Sequence, residues 1–160
     1  MLRVKDPEKS LKFYQEVLGM EFLKMIEHRE AGFNLYYVGY MTTKTTAAQA
    51  IPHHEGLLQL TWEYGSEKQE NFKYHNGNEQ PQGFGHICES SPILPEYFPY
   101  TNQGITVDDL EGACKRFEDF GVNWKKRLTD GRMRNIAFIL DPDNYWVEVI
   151  QNERIIKGVK

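Results

Sequence analysis

The feature that most restricts the fold is a repeat. A short apolar segment, Leu2-Arg3-Val4, leads into Asp6-Pro7 and a helical pattern that stops at Gly19; about a hundred residues later Ile105-Thr106-Val107 leads into Asp108-Asp109 and a helical pattern that stops at Gly121. Two copies of one supersecondary unit exclude most ways of folding a chain of this size, so the repeat is read first. In the first copy Asp6 offers a side-chain acceptor to the free N–H groups of a helix start, and Pro7 has the φ of a first helical turn. Leu11, Tyr14, Val17 and Leu18 then recur at helical spacing, with Gly19 where a left-handed closing residue is wanted. Leu110, Ala113, Phe117 and Phe120 repeat that pattern ahead of Gly121.

Three runs rich in aromatic and branched residues follow each helix: Glu21–Ile26, Phe33–Val38 and Leu57–Trp62 in the first copy, Asn123–Leu128, Ile136–Leu140 and Tyr145–Ile150 in the second. They are too short for helices and are bounded by turn residues such as Asp141-Pro142-Asp143-Asn144, so they read as strands. The prediction is an α+β fold of two βαβββ modules. Residues 1–70 form the first module; 71–103 form a linker that carries the His86 strand and an inserted loop; 104–152 complete the second module, and 153–160 are a tail. The insertion is placed at Cys88 to Gln103, because Pro92, Pro95 and Pro99 cannot donate to a sheet ladder.

Charge and composition remove several function classes. A net charge of -4, with basic residues scattered among acids, lacks the footprint that a phosphate backbone requires, so nucleic acid is not an expected partner. No apolar run approaches the ~20 residues that span a bilayer, and the start of the chain has no secretory pattern, so the expectation is a cytoplasmic protein without a membrane partner. Cys88 and Cys114 are too few and too far apart for a disulfide framework or a cysteine metal site. Any metal must be held by nitrogen and oxygen.

Three polar residues interrupt apolar strands: Gln59 in Leu57-Leu58-Gln59-Leu60, His86 in Phe84-Gly85-His86-Ile87, and Glu148 in Trp146-Val147-Glu148-Val149. Taken singly, each has two readings. A histidine in such a place is more often a satisfied structural residue than a ligand, and a carboxylate between valines is either solvated or functional. The repeat changes the balance, because Gln59 and Glu148 fall on the last strands of their modules and His86 just ahead of the second module's helix. A cavity between two such half-barrels would gather one nitrogen and several oxygens, a set suited to a divalent metal with an open position.

Several linked motifs carry a resemblance to a known family. Met1-Leu2-Arg3-Val4-Lys5-Asp6-Pro7, Phe13-Tyr14, Val17-Leu18-Gly19-Met20, Tyr74-His75-Asn76-Gly77-Asn78, Gly83-Phe84-Gly85-His86-Ile87, Asp130-Gly131-Arg132-Met133 and Asp141-Pro142-Asp143-Asn144-Tyr145-Trp146-Val147-Glu148 resemble eukaryotic-type glyoxalase I, or lactoylglutathione lyase, of the vicinal oxygen chelate superfamily. The resemblance runs from Met1 to about Asn152, apart from the insertion and Met41–Glu55. It implies paired βαβββ modules and a divalent metal, usually zinc, with nickel, cobalt or manganese as alternatives. It implies metal ligands at Gln59, His86 and Glu148, with Glu148 also the catalytic base. Substrate contacts are implied at Arg3, Glu63, Gln82, Lys126, Arg132 and Met133.

The implied reaction isomerises the methylglyoxal–glutathione hemithioacetal to S-lactoylglutathione, a carboxylate moving a proton between adjacent carbons beside a Lewis acid. Implied partners are the hemithioacetal and a second copy, as a homodimer or a two-copy chain. The chain also departs from the family pattern. The family's first ligand falls ahead of Met1, so the sequence reads as truncated there. Gln59 replaces a glutamate and brings no charge, which should weaken metal binding. Glu63 replaces an asparagine and Gln82 an arginine, which reduces complementarity to an anionic substrate. Two other readings stay compatible with the residues. One is a related dioxygenase or thiol transferase, for which His53, His54 and His75 would be the spare histidines; the other is a fold that binds a thiol conjugate without turnover.

Overall fold

In the computed structural model, which describes residues 1–40, 56–87 and 105–151, each copy of the repeat builds its own sheet. The chain divides into two units, Met1–His75 and Asn76–Lys160. The expected insertion at 88–103, the tail at 153–160, and His53 and His54 lie outside the described residues.

The first unit runs β1 (Leu2–Arg3), α1 (Pro7–Lys12), β2 (Glu21–His28), β3 (Phe33–Gly39) and β4 (Leu58–Glu63). Its sheet has the order β1-β4-β3-β2, with β1 parallel to β4 and the other pairs antiparallel. The Asp6 carboxylate caps α1 by accepting the N–H groups of Glu8 and Lys9 at 3.1 and 3.3 Å. The helix does not continue unchanged to Leu18. It widens into a π-helical turn over Phe13–Val17, where Phe13, Tyr14 and Val17 are all buried. In β3 the buried Asn34, Tyr36 and Val38 alternate with half-buried Phe33, Leu35 and Tyr37, so the sheet has a core face and a second, more open face.

The second unit repeats the plan with β5 (Ile105–Val107), α2 (Leu110–Asp119), β6 (Trp124–Lys126), β7 (Ile136–Leu140) and β8 (Trp146–Gln151), in the order β5-β8-β7-β6. The architecture is α+β, two βαβββ modules of one topology. Asp109 is the cap of α2 and accepts the Gly112 N–H at 2.9 Å. Gly112 sits inside a helix, where glycine normally destabilises, because a Cβ there would stand 2.3 Å from that carboxylate. Val147, Val149, Ala137 and Ile139 are fully buried and alternate with Trp146, Glu148, Ile136 and Phe138 on the opposite face.

Strand ends differ from the sequence pattern for local reasons. β6 is shorter than Asn123–Leu128, since its register shifts between Trp124 and Lys126 and the Arg127 N–H turns away to Asp130. β8 starts at Trp146 because the Asp141 carboxylate holds a tight turn, accepting the N–H groups of Asp143 and Tyr145 at 2.9 and 2.8 Å. Among the described residues, no helix is long and apolar enough to cross a membrane.

Candidate active site

The two sheets place their polar interruptions at the same station. In the first unit Gln59 lies opposite Tyr37, one residue before the Leu2–Leu60 pair of the parallel ladder. In the second, Glu148 lies opposite Phe138, one residue before the Ile105–Val149 pair. Both therefore occupy the sheet face away from the most buried residues of their own units.

A short chain of local contacts brings His86 to Glu148. Asn76 donates its side-chain N–H to the Asn144 carbonyl at 3.2 Å and accepts the Asn78 N–H at 2.9 Å. The Gly77 carbonyl accepts the N–H groups of Gly83 and Phe84, and a Cβ on Gly77 would stand 2.3 Å from that of Phe84. With φ at 77° as well, this position requires glycine. Phe84 then packs edge-on against Tyr145, with ring centroids 5.7 Å apart. Ile87 finally bridges to β8 beside Val147, donating to the Trp146 carbonyl at 2.7 Å and accepting the Glu148 N–H at 3.3 Å.

Ile87 faces Val147 and Ile105 faces Val149, both in parallel. Eighteen positions of chain thus span two positions of β8, a surplus of sixteen. Ile87 and β5 lie along one line of pairing.

His86 Nε2 lies 2.9 Å from Glu148 Oε2. Glu148 is 6% exposed, and Oε2 is buried without a hydrogen-bond donor among the described residues. A buried carboxylate oxygen in this state is expensive unless a charge or proton reaches it. Burial pushes the Glu148 carboxyl above its ordinary value, opposed by the neighbouring His86. The His86 ring packs edge-on to Phe138 at 5.5 Å, and Phe138 packs against Trp146 at 6.1 Å. These aromatics escaped the sequence reading. Their alternation with Glu148 along β7 and β8 was present, but the facing register that puts Phe138 across from Glu148 is a tertiary fact.

Gln59 is held differently. Its Oε1 accepts the Tyr37 hydroxyl at 3.1 Å, and its Nε2 donates to the Thr61 hydroxyl at 3.5 Å. Arg3 and Glu63 come together as a hydrogen-bonded ion pair, each side chain 48% exposed. Lys126 donates to the carbonyls of Met133 and Ile136 at 2.6 and 2.7 Å, and to that of Arg127 at 3.3 Å. Arg132 and Met133 are exposed on the segment between β6 and β7, and Gln82 is exposed ahead of Phe84. His75 is likewise exposed. Among the described residues, no group of three or more His, Cys, Asp or Glu side chains could hold a metal.

Paired βαβββ units, each with a polar side chain at one station of an open sheet face, define a vicinal-oxygen-chelate class of protein. Residues 1–149 match the Glyoxalase/Bleomycin resistance protein/Dioxygenase superfamily, and the chain belongs to that family. It is 45% identical over 157 residues to a lactoylglutathione lyase of Pseudomonas putida, an alignment covering 94% of this chain and 82% of that protein. It is 42% identical over 153 residues to the glyoxalase I of Saccharomyces cerevisiae, covering 94% of this chain but 41% of the yeast protein. The crystal structure of glyoxalase I from Zea mays has the same fold, with a TM-score of 0.65 at 24% identity, covering 94% of this chain and 43% of that chain.

Proposed function

We infer that the chain is a lactoylglutathione lyase, which isomerises the methylglyoxal–glutathione hemithioacetal to S-lactoylglutathione and so removes methylglyoxal. The observation that carries the reading is Glu148: a buried carboxylate on the open sheet face, with one oxygen 2.9 Å from His86 Nε2. The 45% identity to the Pseudomonas enzyme supports the choice of reaction within the family.

The donors fit a divalent cation. A ring nitrogen and a buried carboxylate oxygen converge, and a borderline ion such as zinc takes both. His86, Glu148 and Gln59 are the residues proposed to hold it, with zinc the first choice and nickel, cobalt or manganese the alternatives. When bound, the ion supplies Lewis-acid polarisation of the two neighbouring oxygens of the hemithioacetal. Glu148 does the proton chemistry, taking the proton from one carbon and returning it to the next. Its raised affinity for protons suits a group that must accept one near neutral pH. Phe138 orients the His86 ring by edge contact.

Arg3, Glu63, Gln82, Lys126, Arg132 and Met133 are proposed as substrate contacts, and the working form as a homodimer or one copy of a two-copy chain in the cytoplasm. The reading is tested by purifying the chain, measuring bound metal and following S-lactoylglutathione formation from methylglyoxal and glutathione. Turnover that is lost with a chelator and restored by zinc is expected, together with a dimer by light scattering. A metal-loaded protein with no turnover would leave only a binding module.

A further inference from the structure

His86 follows a stretch of chain that is costly to hold still. Gly83 and Gly85 bracket Phe84, neither has the positive φ that requires glycine, and a Cβ on either would meet nothing within 4 Å. Glycines in open space lose more conformational freedom on ordering than other residues do. Beyond His86, one bridge joins Ile87 to β8 through two hydrogen bonds, from the Ile87 N–H to Trp146 and from the Glu148 N–H to Ile87.

The Asn78 amide supplies a restraint on the other side. Its Nδ2 donates to the Phe84 carbonyl at 3.0 Å and also to the Gly85 carbonyl, the last two carbonyls ahead of His86. A flipped amide would set an oxygen against both carbonyls, and Oδ1 instead stays buried without a partner among the described residues. Asn78 is itself anchored to β8. Its N–H goes to Asn76 Oδ1 at 2.9 Å, Asn76 Nδ2 to the Asn144 carbonyl at 3.2 Å, and Asn144 closes the Asp141 turn from which β8 departs. The contacts form a ring, from the start of β8 through Asn76, Asn78 and the two carbonyls to His86, and back to β8 at Glu148.

We propose that Asn78 is a positioning residue for His86, fixing the backbone from which the imidazole reaches Glu148. Phe138 restricts the ring, and Asn78 restricts the chain that carries it. Only the zinc measurement below rests on the functional reading above, through His86 as a ligand.

The test compares the whole chain as wild type, Asn78→Asp, Asn78→Ser, Gly85→Ala and the double variant Asn78→Asp with Gly85→Ala. Amide hydrogen exchange in the metal-free protein reads the clasp, and zinc competition against a chelator reads its effect on the donors. Asn78→Asp keeps the size of the side chain and removes both donations. Exchange at the Ile87 and Glu148 N–H groups should quicken about tenfold, while the Ala113 N–H of α2 keeps its rate. Zinc affinity should fall about tenfold, as for lost outer supports of a metal ligand, although the added charge alone would attract a cation. Asn78→Ser, a milder change with one donor left, should move both readouts the same way by less. Gly85→Ala removes chain freedom without a clash, so the double variant should recover part of the loss. Wild-type exchange at Ile87 and Glu148 in either Asn78 variant, or a loss that Gly85→Ala leaves untouched, overturns the assignment. Equal quickening at Ala113 overturns it too, since Asn78 would then support the fold as a whole. A wild type that neither binds zinc nor turns over the hemithioacetal overturns the functional reading, and the exchange comparison still decides the role of Asn78.

Discussion

Replacing Glu148 by glutamine separates its chemistry from its packing. The amide has the size of the carboxyl, so the exchange at this buried residue leaves no cavity behind. What disappears is the proton acceptor. Loss of a general base costs ~10²–10⁴ in turnover, roughly 3–5 kcal/mol of barrier. Stability should move the other way. Burial raises the Glu148 carboxyl above its ordinary value of 4.5, so the folded metal-free protein holds that proton more tightly than the unfolded chain. Such a group contributes fully below the unfolded value and loses its contribution as pH climbs through the folded one. Wild-type metal-free protein should therefore lose stability as pH rises from about 4.5, and Glu148→Gln should lose less over the same window. Turnover by S-lactoylglutathione formation and Tm against pH in chelator are the two measurements. A variant that keeps the wild-type rate with metal bound would falsify the base assignment; one whose Tm falls with pH as steeply as wild type would show that burial does not set the carboxyl's proton affinity.

Two further substitutions probe the first unit. Gln59→Glu keeps the Tyr37 hydroxyl as a donor and adds a negative charge, so zinc affinity in a chelator competition should tighten by an order of magnitude or more; unchanged affinity would mean that residue 59 is not a ligand. Glu63→Asn releases Arg3 from its ion pair, and because exposed pairs contribute only ~0.2–1 kcal/mol, KM for the hemithioacetal should fall by no more than about fivefold. A rise in KM would mean that Glu63 attracts the substrate at its contact and does not oppose it.

Much of the fold was legible because it depends on local rules stated twice. Asp6 and Asp109 cap helices, Gly19 and Gly121 adopt φ of 75° and 67°, and Ile105–Val107 and Ile136–Leu140 are strands at the residues their pattern marks. The π-helical turn at Phe13–Val17 was hidden, since π and α spacing put nearly the same residues on the buried side over one turn. In the candidate site, the sequence marked Gln59, His86 and Glu148 as misfits in apolar strands. It could not mark Tyr37 or Phe138 as their neighbours, because those facings come from strand register.

The two copies of the repeat have diverged at their shared station in a way that follows the chemistry each can do. Gln59 cannot accept a proton at neutral pH, and its amide is hydrogen-bonded on both sides, by Tyr37 at Oε1 and to Thr61 from Nε2. Those bonds hold the oxygen in one orientation, which is what a neutral ligand needs and a base does not. Glu148 is the converse, a charged group whose Oε2 has no donor among the described residues and whose side chain is nearly buried. Burial disfavours the charged form and keeps the group basic, against the opposing effect of His86 Nε2 at 2.9 Å. Had both stations carried carboxylates held like Glu148, two buried negative charges would each need compensation, and proton transfer could start from either. With an amide at one and a carboxylate at the other, the proposed ligand set contains one base, and under that proposal both proton movements of the isomerisation fall to Glu148.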